Sequence, residues 1–176
     1  TITLTPSRQI LLQALGRQEE AIAQYQKAVA INPDDCDAYN NLGTVLKALD
    51  RYAEAAECYQ RVIVIQPHRA DAHYNLANVL PTLGRQDEAI RHYERAIALK
   101  PGFPEAHLNL ALALQALGRP DEAVQQYEKA VAADPQFLDA QLGLGNLLGT
   151  LGRQEEAARA FEAALACRFH FFAHSV

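Results

Sequence analysis

The segment Ala70–Phe103 reads ADAHYNLANVLPTLGRQDEAIRHYERAIALKPGF, and related copies of it recur along the chain at a period of 34 residues. The prolines that fall on this period are Pro33, Pro67, Pro101 and Pro135. The dipeptides that share a second repeat position are Gly16-Arg17, Asp50-Arg51, Gly84-Arg85, Gly118-Arg119 and Gly152-Arg153. A constant period of this size, uninterrupted by insertions, is typical of stacked helical repeats.

Each copy predicts two helices separated by a turn. In the second copy Leu42, Leu46 and Leu49 recur at helical spacing, and a second apolar run with the same spacing follows Asp50-Arg51. A glycine at the turn adopts positive φ easily and so ends the first helix, as we expect at Gly84, Gly118 and Gly152. The repeat proline cannot continue the hydrogen-bond ladder, so the second helix ends before it.

These residues resemble the tetratricopeptide repeat (TPR) family over nearly the whole chain. The pairs of leucine and a small residue on the first helices are Leu42-Gly43, Leu76-Ala77, Leu110-Ala111 and Leu144-Gly145. The aromatic residues of the second helices are Tyr25, Tyr59, Tyr93, Tyr127 and Phe161. The resemblance implies an all-α fold, a right-handed TPR superhelix (α-solenoid) of helix-turn-helix repeats. It also implies that partners bind the concave face, which the first helices line.

We predict a single TPR domain over residues 1–176. Its segments are a partial first repeat 1–34, full repeats 35–69, 70–103, 104–137 and 138–168, and a tail 169–176. Thr5-Pro6 is typical of a helix start, so the first helix of the partial repeat is expected to be short, from Pro6 to about Leu15.

Two further positions depart from the repeat pattern. Pro81 lies within a predicted first helix and is expected to kink it near its end. Gly143 and Gly149 are expected to cost about 1 kcal/mol each relative to alanine, which would soften the fifth copy.

Composition argues against several function classes. The net charge is −5, from 16 basic and 21 acidic residues, and no basic block suggests a nucleic-acid partner. No apolar run approaches the roughly 20 residues that span a bilayer, so no membrane partner is expected. Cys36, Cys58 and Cys167 show no metal-ligand spacing and are predicted to be buried or half-buried thiols in a reducing, cytoplasmic compartment.

The chain shows no pattern of catalytic residues, phosphate loop or nucleotide fingerprint, so we predict neither an enzyme nor a cofactor. His73 and His107 share one repeat position and are interpreted as packing residues. His170 and His174 are four residues apart, which leaves metal binding open as a minor alternative; no metal site is predicted.

One group of side chains is not explained by packing. Asn41, Asn75 and Asn109, here called the asparagine column, occupy one position in three successive first helices. Asparagine is a mediocre helix former, whereas its amide matches the donor and acceptor of a peptide bond. If first helices stack at about 9–10 Å, one asparagine meets about every third residue of an extended peptide. The column is similar to the asparagine ladder in the TPR superhelix of O-linked N-acetylglucosamine transferase.

We therefore predict that the concave face binds an extended peptide. The candidate contact residues are Asn41, Asn75, Asn109, Asn40, Thr44, Lys47, Tyr74, Asn78 and Asn146. The alternative is that these asparagines bond to neighbouring helices or to water. The column is expected to end at Gly143, its equivalent in the fifth copy.

Acids at the start of each first helix are the other candidates for the concave face: Asp37, Asp71, Glu105 and Asp139. They either complement the helix dipole or bias the groove towards basic or neutral peptides. A clamp for a C-terminal carboxylate, another binding mode of TPR proteins, is disfavoured because Lys47 is the single plausible basic contact.

The predicted function is a non-catalytic module that binds a protein or peptide partner. One alternative is a scaffold that forms homo-oligomers through its terminal repeats and through the tail phenylalanines Phe169, Phe171 and Phe172. The other is a substrate-delivery domain of a larger enzyme such as a glycosyltransferase.

Overall fold

A computed structural model describes the backbone of residues 6–173 and the side chains of residues 16–167. The described chain consists of helices joined by short turns. The helices are α1 (Pro6–Ile31), α2 (Cys36–Ala48), α3 (Tyr52–Ile65), α4 (Ala70–Val79), a 3-10 turn (Pro81–Leu83), α5 (Gln86–Leu99), α6 (Pro104–Ala116), α7 (Pro120–Ala133), α8 (Leu138–Thr150) and α9 (Gln154–Ala173). The predicted all-α fold of helix-turn-helix repeats, an α-solenoid, is confirmed.

The chain forms two compact units, Thr1–Arg85 and Gln86–Val176. In the first unit α2 packs against α1 and α3, and α3 packs against α4. In the second unit α6 packs against α5 and α7, while α8 packs against α7 and α9. Helices that are neighbours in sequence are thus neighbours in space within each unit, as repeat architecture requires. The prediction of a single domain remains a prediction.

The turns between paired helices have the left-handed backbone that the glycines predict. Gly84, Gly118 and Gly152 have φ values of 75°, 71° and 77°. In the second copy Asp50 takes the same conformation with φ 58°, which is unfavourable for a residue with a Cβ. The Tyr52 hydroxyl donates a 2.6 Å hydrogen bond to the Asp50 carboxylate, and this bond helps to hold the turn.

Small residues and aromatic rings form the core of the middle repeats, as predicted: Tyr59, Tyr93 and Tyr127 are buried, whereas Tyr25 and Phe161 in the outer copies are half-buried. Ala55, Tyr59 and Val62 of α3 are completely buried. A Cβ at Gly43 would lie 2.7 Å from Cε1 of Tyr59, so helix α2 approaches α3 closely because Gly43 has no side chain. Close approach of this kind lets two helices share one aromatic side chain as their common core.

The first copy differs from the prediction. The expected helix end near Leu15 is wrong, because α1 runs without interruption from Pro6 to Ile31 through Gly16. A glycine inside a helix costs about 1 kcal/mol, whereas a turn removes several intrahelical hydrogen bonds. In the later copies the lost hydrogen bonds are compensated, because the helices on either side of the turn pack on each other, as α2 does on α3.

Two helix ends also differ in detail. At Pro81 the expected kink is replaced by an end: α4 stops at Val79 and a 3-10 turn follows. Proline lacks the N–H that would continue the ladder, so the shorter-range bond from Gly84 N–H to the Pro81 carbonyl takes over. At the other terminus α9 continues to Ala173, past the predicted end of the fifth repeat at residue 168.

Candidate functional site

The first helices of the first unit present a row of polar side chains, here called the polar face. Residues three, four and seven apart on a helix share one side of it. The polar face comprises Asp37, Asn40, Asn41, Thr44 and Lys47 on α2, and Asp71, Tyr74, Asn75 and Asn78 on α4. Asn41 and Thr44 are exposed, and Asn40 and Asn75 are half-buried.

One hydrogen bond joins the two helices of the polar face. Nδ2 of Asn75 donates to Oδ1 of Asn40 across 2.9 Å, although the residues are 35 positions apart. For this pair the structure therefore shows the inter-helix bond of the alternative interpretation. The bond uses one donor of Asn75 and one acceptor of Asn40. The side-chain oxygen of Asn75 and the side-chain nitrogen of Asn40 are not used by it, so the pair retains an acceptor and a donor.

Tyr59 lies beneath the polar face. Its hydroxyl is 3.4 Å from Oγ1 of Thr44, which also donates a 2.9 Å hydrogen bond to the backbone carbonyl of Asn40. Burial of the ring raises the pKa of Tyr59, and the bond with Thr44 partly opposes that shift. The floor of the face is therefore a neutral, fixed aromatic side chain.

Arg69, which no repeat pattern in the sequence singled out, neutralises the acids at one end of the polar face. Its Nη1 lies 2.8 Å from Asp37, and its Nε lies 3.0 Å from Asp71. The hydrogen bonds to Asp71 and then to Asp37 raise the pKa of Arg69. The two carboxylates are thus tied to a cation between successive repeats, which supports a structural role for them in this unit. A search for a cation one residue before each first helix would have found Arg69.

In the second unit the equivalent face carries leucines, and we call it the leucine face. It comprises Glu105, Leu108, Asn109 and Leu112 on α6, and Asp139, Leu142, Gly143 and Asn146 on α8. Leu112 is 50% exposed and Leu142 is 38% exposed. Asn146 is exposed and Asn109 is half-buried. The asparagine pattern in the sequence did not point to these leucines.

Tyr127 of α7 contacts both helices of the leucine face. Its hydroxyl donates a 3.3 Å hydrogen bond to Oε1 of Gln115 on α6. On the other side, a Cβ at Gly143 would lie 2.5 Å from Cε1 of Tyr127. The buried ring therefore occupies the space that a column side chain would need at residue 143. We expected Gly143 only to lower stability relative to alanine. That expectation is wrong, because the missing side chain at Gly143 leaves the space in which the Tyr127 ring packs.

His73 and His107 have the structural role that was predicted. Both are buried, and Nε2 of each lies within hydrogen-bond distance of the carbonyl of the repeat proline six residues earlier, at 3.1 and 3.2 Å. In the fifth copy Gln141 takes the same position, and its Nε2 donates to the Pro135 carbonyl at 2.6 Å. This contact fastens the start of a first helix to the loop before it.

No group of three metal-ligating side chains occurs within residues 16–167. His170 and His174 lie outside the residues whose side chains are described, as do the tail phenylalanines. Cys36 and Cys58 are buried and Cys167 is half-buried, as predicted. Among the helices that the structure describes, none is long and apolar enough to cross a membrane.

Comparison with sequence families gives a consistent result. Residues 11–50 match a family model described as TPR repeat. Three further matches, to models described as tetratricopeptide repeat, cover residues 34–101, 82–130 and 108–168. Together the four matches extend from residue 11 to residue 168. No curated protein sequence matches the chain.

Solved structures with the same fold include two of MamA and one of YrrB. A crystal structure of MamA has a TM-score of 0.84 at 24% identity, covering 98% of this chain and 100% of that chain. A MamA fragment from Desulfovibrio magneticus has a TM-score of 0.79 at 22% identity, covering 96% and 95%. YrrB, described as a TPR protein with an unusual peptide-binding site, has a TM-score of 0.71 at 26% identity, covering 89% and 81%. These similarities confirm the fold, while the resemblance to the transferase superhelix remains a prediction.

Proposed function

The chain belongs to the tetratricopeptide repeat family, and from that premise we propose that the polar face of its first unit binds an extended segment of a partner protein. The fold is consistent with a protein–protein interaction module. The proposed role is non-catalytic, with a protein or peptide as the partner. Three free thiols favour a reducing, cytoplasmic setting.

The observation that carries the proposal is the Asn40–Asn75 hydrogen bond at 2.9 Å. It supports the idea that polar positions of α2 and α4 adjoin closely enough to contact the same few residues of a bound strand. The pair retains amide N–H donors and the carbonyl oxygen of Asn75 as an acceptor, and the exposed amide of Asn41 adds both kinds of group. Each residue of a bound strand presents one backbone N–H and one carbonyl, whatever its side chain. Binding through these groups would therefore tolerate many sequences.

The similarity to YrrB supports the same proposal, since YrrB is described as having a peptide-binding site. At 26% identity it adds the class of ligand and not the identity of a partner. A delivery role within a larger enzyme has no separate observation in its favour.

The proposal is tested by replacing the column residues of the first unit together, Asn41→Ala with Asn75→Ala. Peptides that bind the wild-type chain are selected from a display library of random linear peptides, and their dissociation constants are measured by fluorescence anisotropy. We expect about a tenfold loss of affinity, because two hydrogen bonds contribute about 0.5–1.5 kcal/mol each. The melting temperature should change by a few degrees at most, since alanine offsets part of the lost bond through its helix propensity.

Asn32→Ala is the matched control, because this asparagine is exposed outside the polar face and its side chain caps a local turn with a bond to Asp34 N–H. Peptide affinity should not change in that variant. If the double replacement leaves affinity unchanged as well, the partner does not bind the polar face and the proposal is wrong.

A further inference from the structure

We propose that the leucine face of the second unit selects partner segments in which apolar side chains lie beside lysine or arginine. This inference rests on the proposed function and specifies the chemistry of the partner at a second part of the chain. It depends on two observations: leucines on α6 and α8, of which Leu112 and Leu142 are exposed, and carboxylates without an ion pair at the same end of both helices.

The apolar surface is arranged by the repeat. Leu108 and Leu112 are four residues apart on α6, and Leu142 on α8 is one period after Leu108. Leu112 and Leu142 are exposed large hydrophobic side chains. Tyr127 touches both helices of this face and supports it from below. An apolar surface supported in this way is a site at which a partner's side chains can be removed from water.

The charge of the leucine face differs from that of the polar face. In the first unit Arg69 pairs with Asp37 and Asp71. One and two periods after Arg69 the chain carries the uncharged residues Phe103 and Phe137. The ammonium of Lys100 packs over the Phe103 ring, 4.4 Å from its centroid.

The consequence is seen at Glu105 and Asp139. Both are exposed, and neither carboxylate forms an ion pair with any side chain of residues 16–167. Each lies three residues before a leucine of the face, Leu108 or Leu142, so it shares that leucine's side of the helix. A partner with lysine or arginine beside its apolar residues would supply the charge that Arg69 supplies in the first unit. A net charge of −5 also favours approach by a basic segment.

The experiment uses the full chain and a phage library of random linear peptides. Peptides selected by the wild-type chain are sequenced, and their affinities are measured for two double variants. The leucine variant is Leu112→Ser with Leu142→Ser, and the charge variant is Glu105→Gln with Asp139→Asn. Leu165→Ser is the matched control, because Leu165 of α9 is 55% exposed and lies outside the face.

We expect the selected peptides to be enriched in leucine, isoleucine or phenylalanine next to lysine or arginine. The leucine variant should lose affinity by about tenfold, since two apolar contacts are removed. The charge variant should bind several-fold more weakly than the wild type at low salt. The difference in affinity between the two should shrink at high salt, because exposed charges are screened. Leu165→Ser should bind as the wild type does. Circular dichroism checks that each variant is folded. We expect all of them to fold, because the substituted side chains are exposed.

Two outcomes overturn the inference, and they are distinct. In the first, the selected peptides depend on Asn41 and Asn75 but lack apolar residues next to lysine or arginine, and they bind the leucine and charge variants as well as the wild type. That result would refute the role of the leucine face and leave the proposed function standing. If no selected peptide depends on either face, the proposed function is also wrong.

Discussion

Replacement of Gly143 by alanine is the sharpest test of the packing described above. The new Cβ would lie 2.5 Å from Cε1 and 2.9 Å from Cζ of Tyr127, whereas carbon atoms in contact are about 3.5–4.0 Å apart. Tyr127 is 1% exposed, so its ring must move by roughly 1 Å within a packed core. Overpacking of this kind costs about 1–3 kcal/mol.

Alanine also has a better helix propensity than glycine, by about 1 kcal/mol. The net expectation for Gly143→Ala is therefore a loss of about 1 kcal/mol in the free energy of unfolding. The control is Gly149→Ala in the same helix, where a Cβ would meet nothing within 4 Å. That variant should gain about 1 kcal/mol, since only the propensity term applies.

Urea unfolding followed by circular dichroism measures both changes under one set of conditions. In a Tyr127→Leu background the clash is removed, so Gly143→Ala should become stabilising there, and the double-mutant cycle gives the coupling energy. If Gly143→Ala stabilises the wild-type chain as much as Gly149→Ala does, the ring does not occupy the position described and the explanation for the end of the asparagine column fails.

Three further predictions concern single side chains. His107→Gln should retain stability because Gln141 forms the equivalent bond to its repeat proline, whereas His107→Leu should cost about 1–3 kcal/mol by leaving a carbonyl unsatisfied; thermal melts compare the two. Asp50→Gly should change stability by less than about 1 kcal/mol, since glycine adopts positive φ without strain but the hydrogen bond from Tyr52 is lost. In a spectroscopic titration of that variant, the raised pKa of Tyr52 should fall back towards 10. Burial raises the pKa of the Cys58 thiol from 9.0 to about 11. The stability due to the protonated thiol is therefore present below pH 9 and is lost as pH rises towards 11. Over that range the urea midpoint of Cys58→Ala should fall less steeply than that of the wild type.

The 34-residue period was sufficient to predict the helix pairs of the second to fifth copies, the left-handed turns and the buried tyrosines of the three middle copies. These features are local, because a turn at Gly118 or an apolar stripe on α3 follows from residues that are near in sequence. The same local reasoning failed at Gly16, where the pattern indicates a turn and α1 continues. Whether a turn forms there depends on how well the two flanking helices pack, which the pattern does not measure.

The contacts between repeats were decided by tertiary structure. The period gives Tyr59 and Tyr127 equivalent positions, yet the glycine beside each ring is at a different place: Gly43 of the same repeat beside Tyr59, and Gly143 of the next repeat beside Tyr127. In the same way the Asn40–Asn75 bond and the Arg69 bridge join residues of different repeats. Such contacts depend on which side chains meet in three dimensions. A repeat pattern specifies the position of each residue within its repeat, but it does not specify how side chains of neighbouring repeats share the space between them.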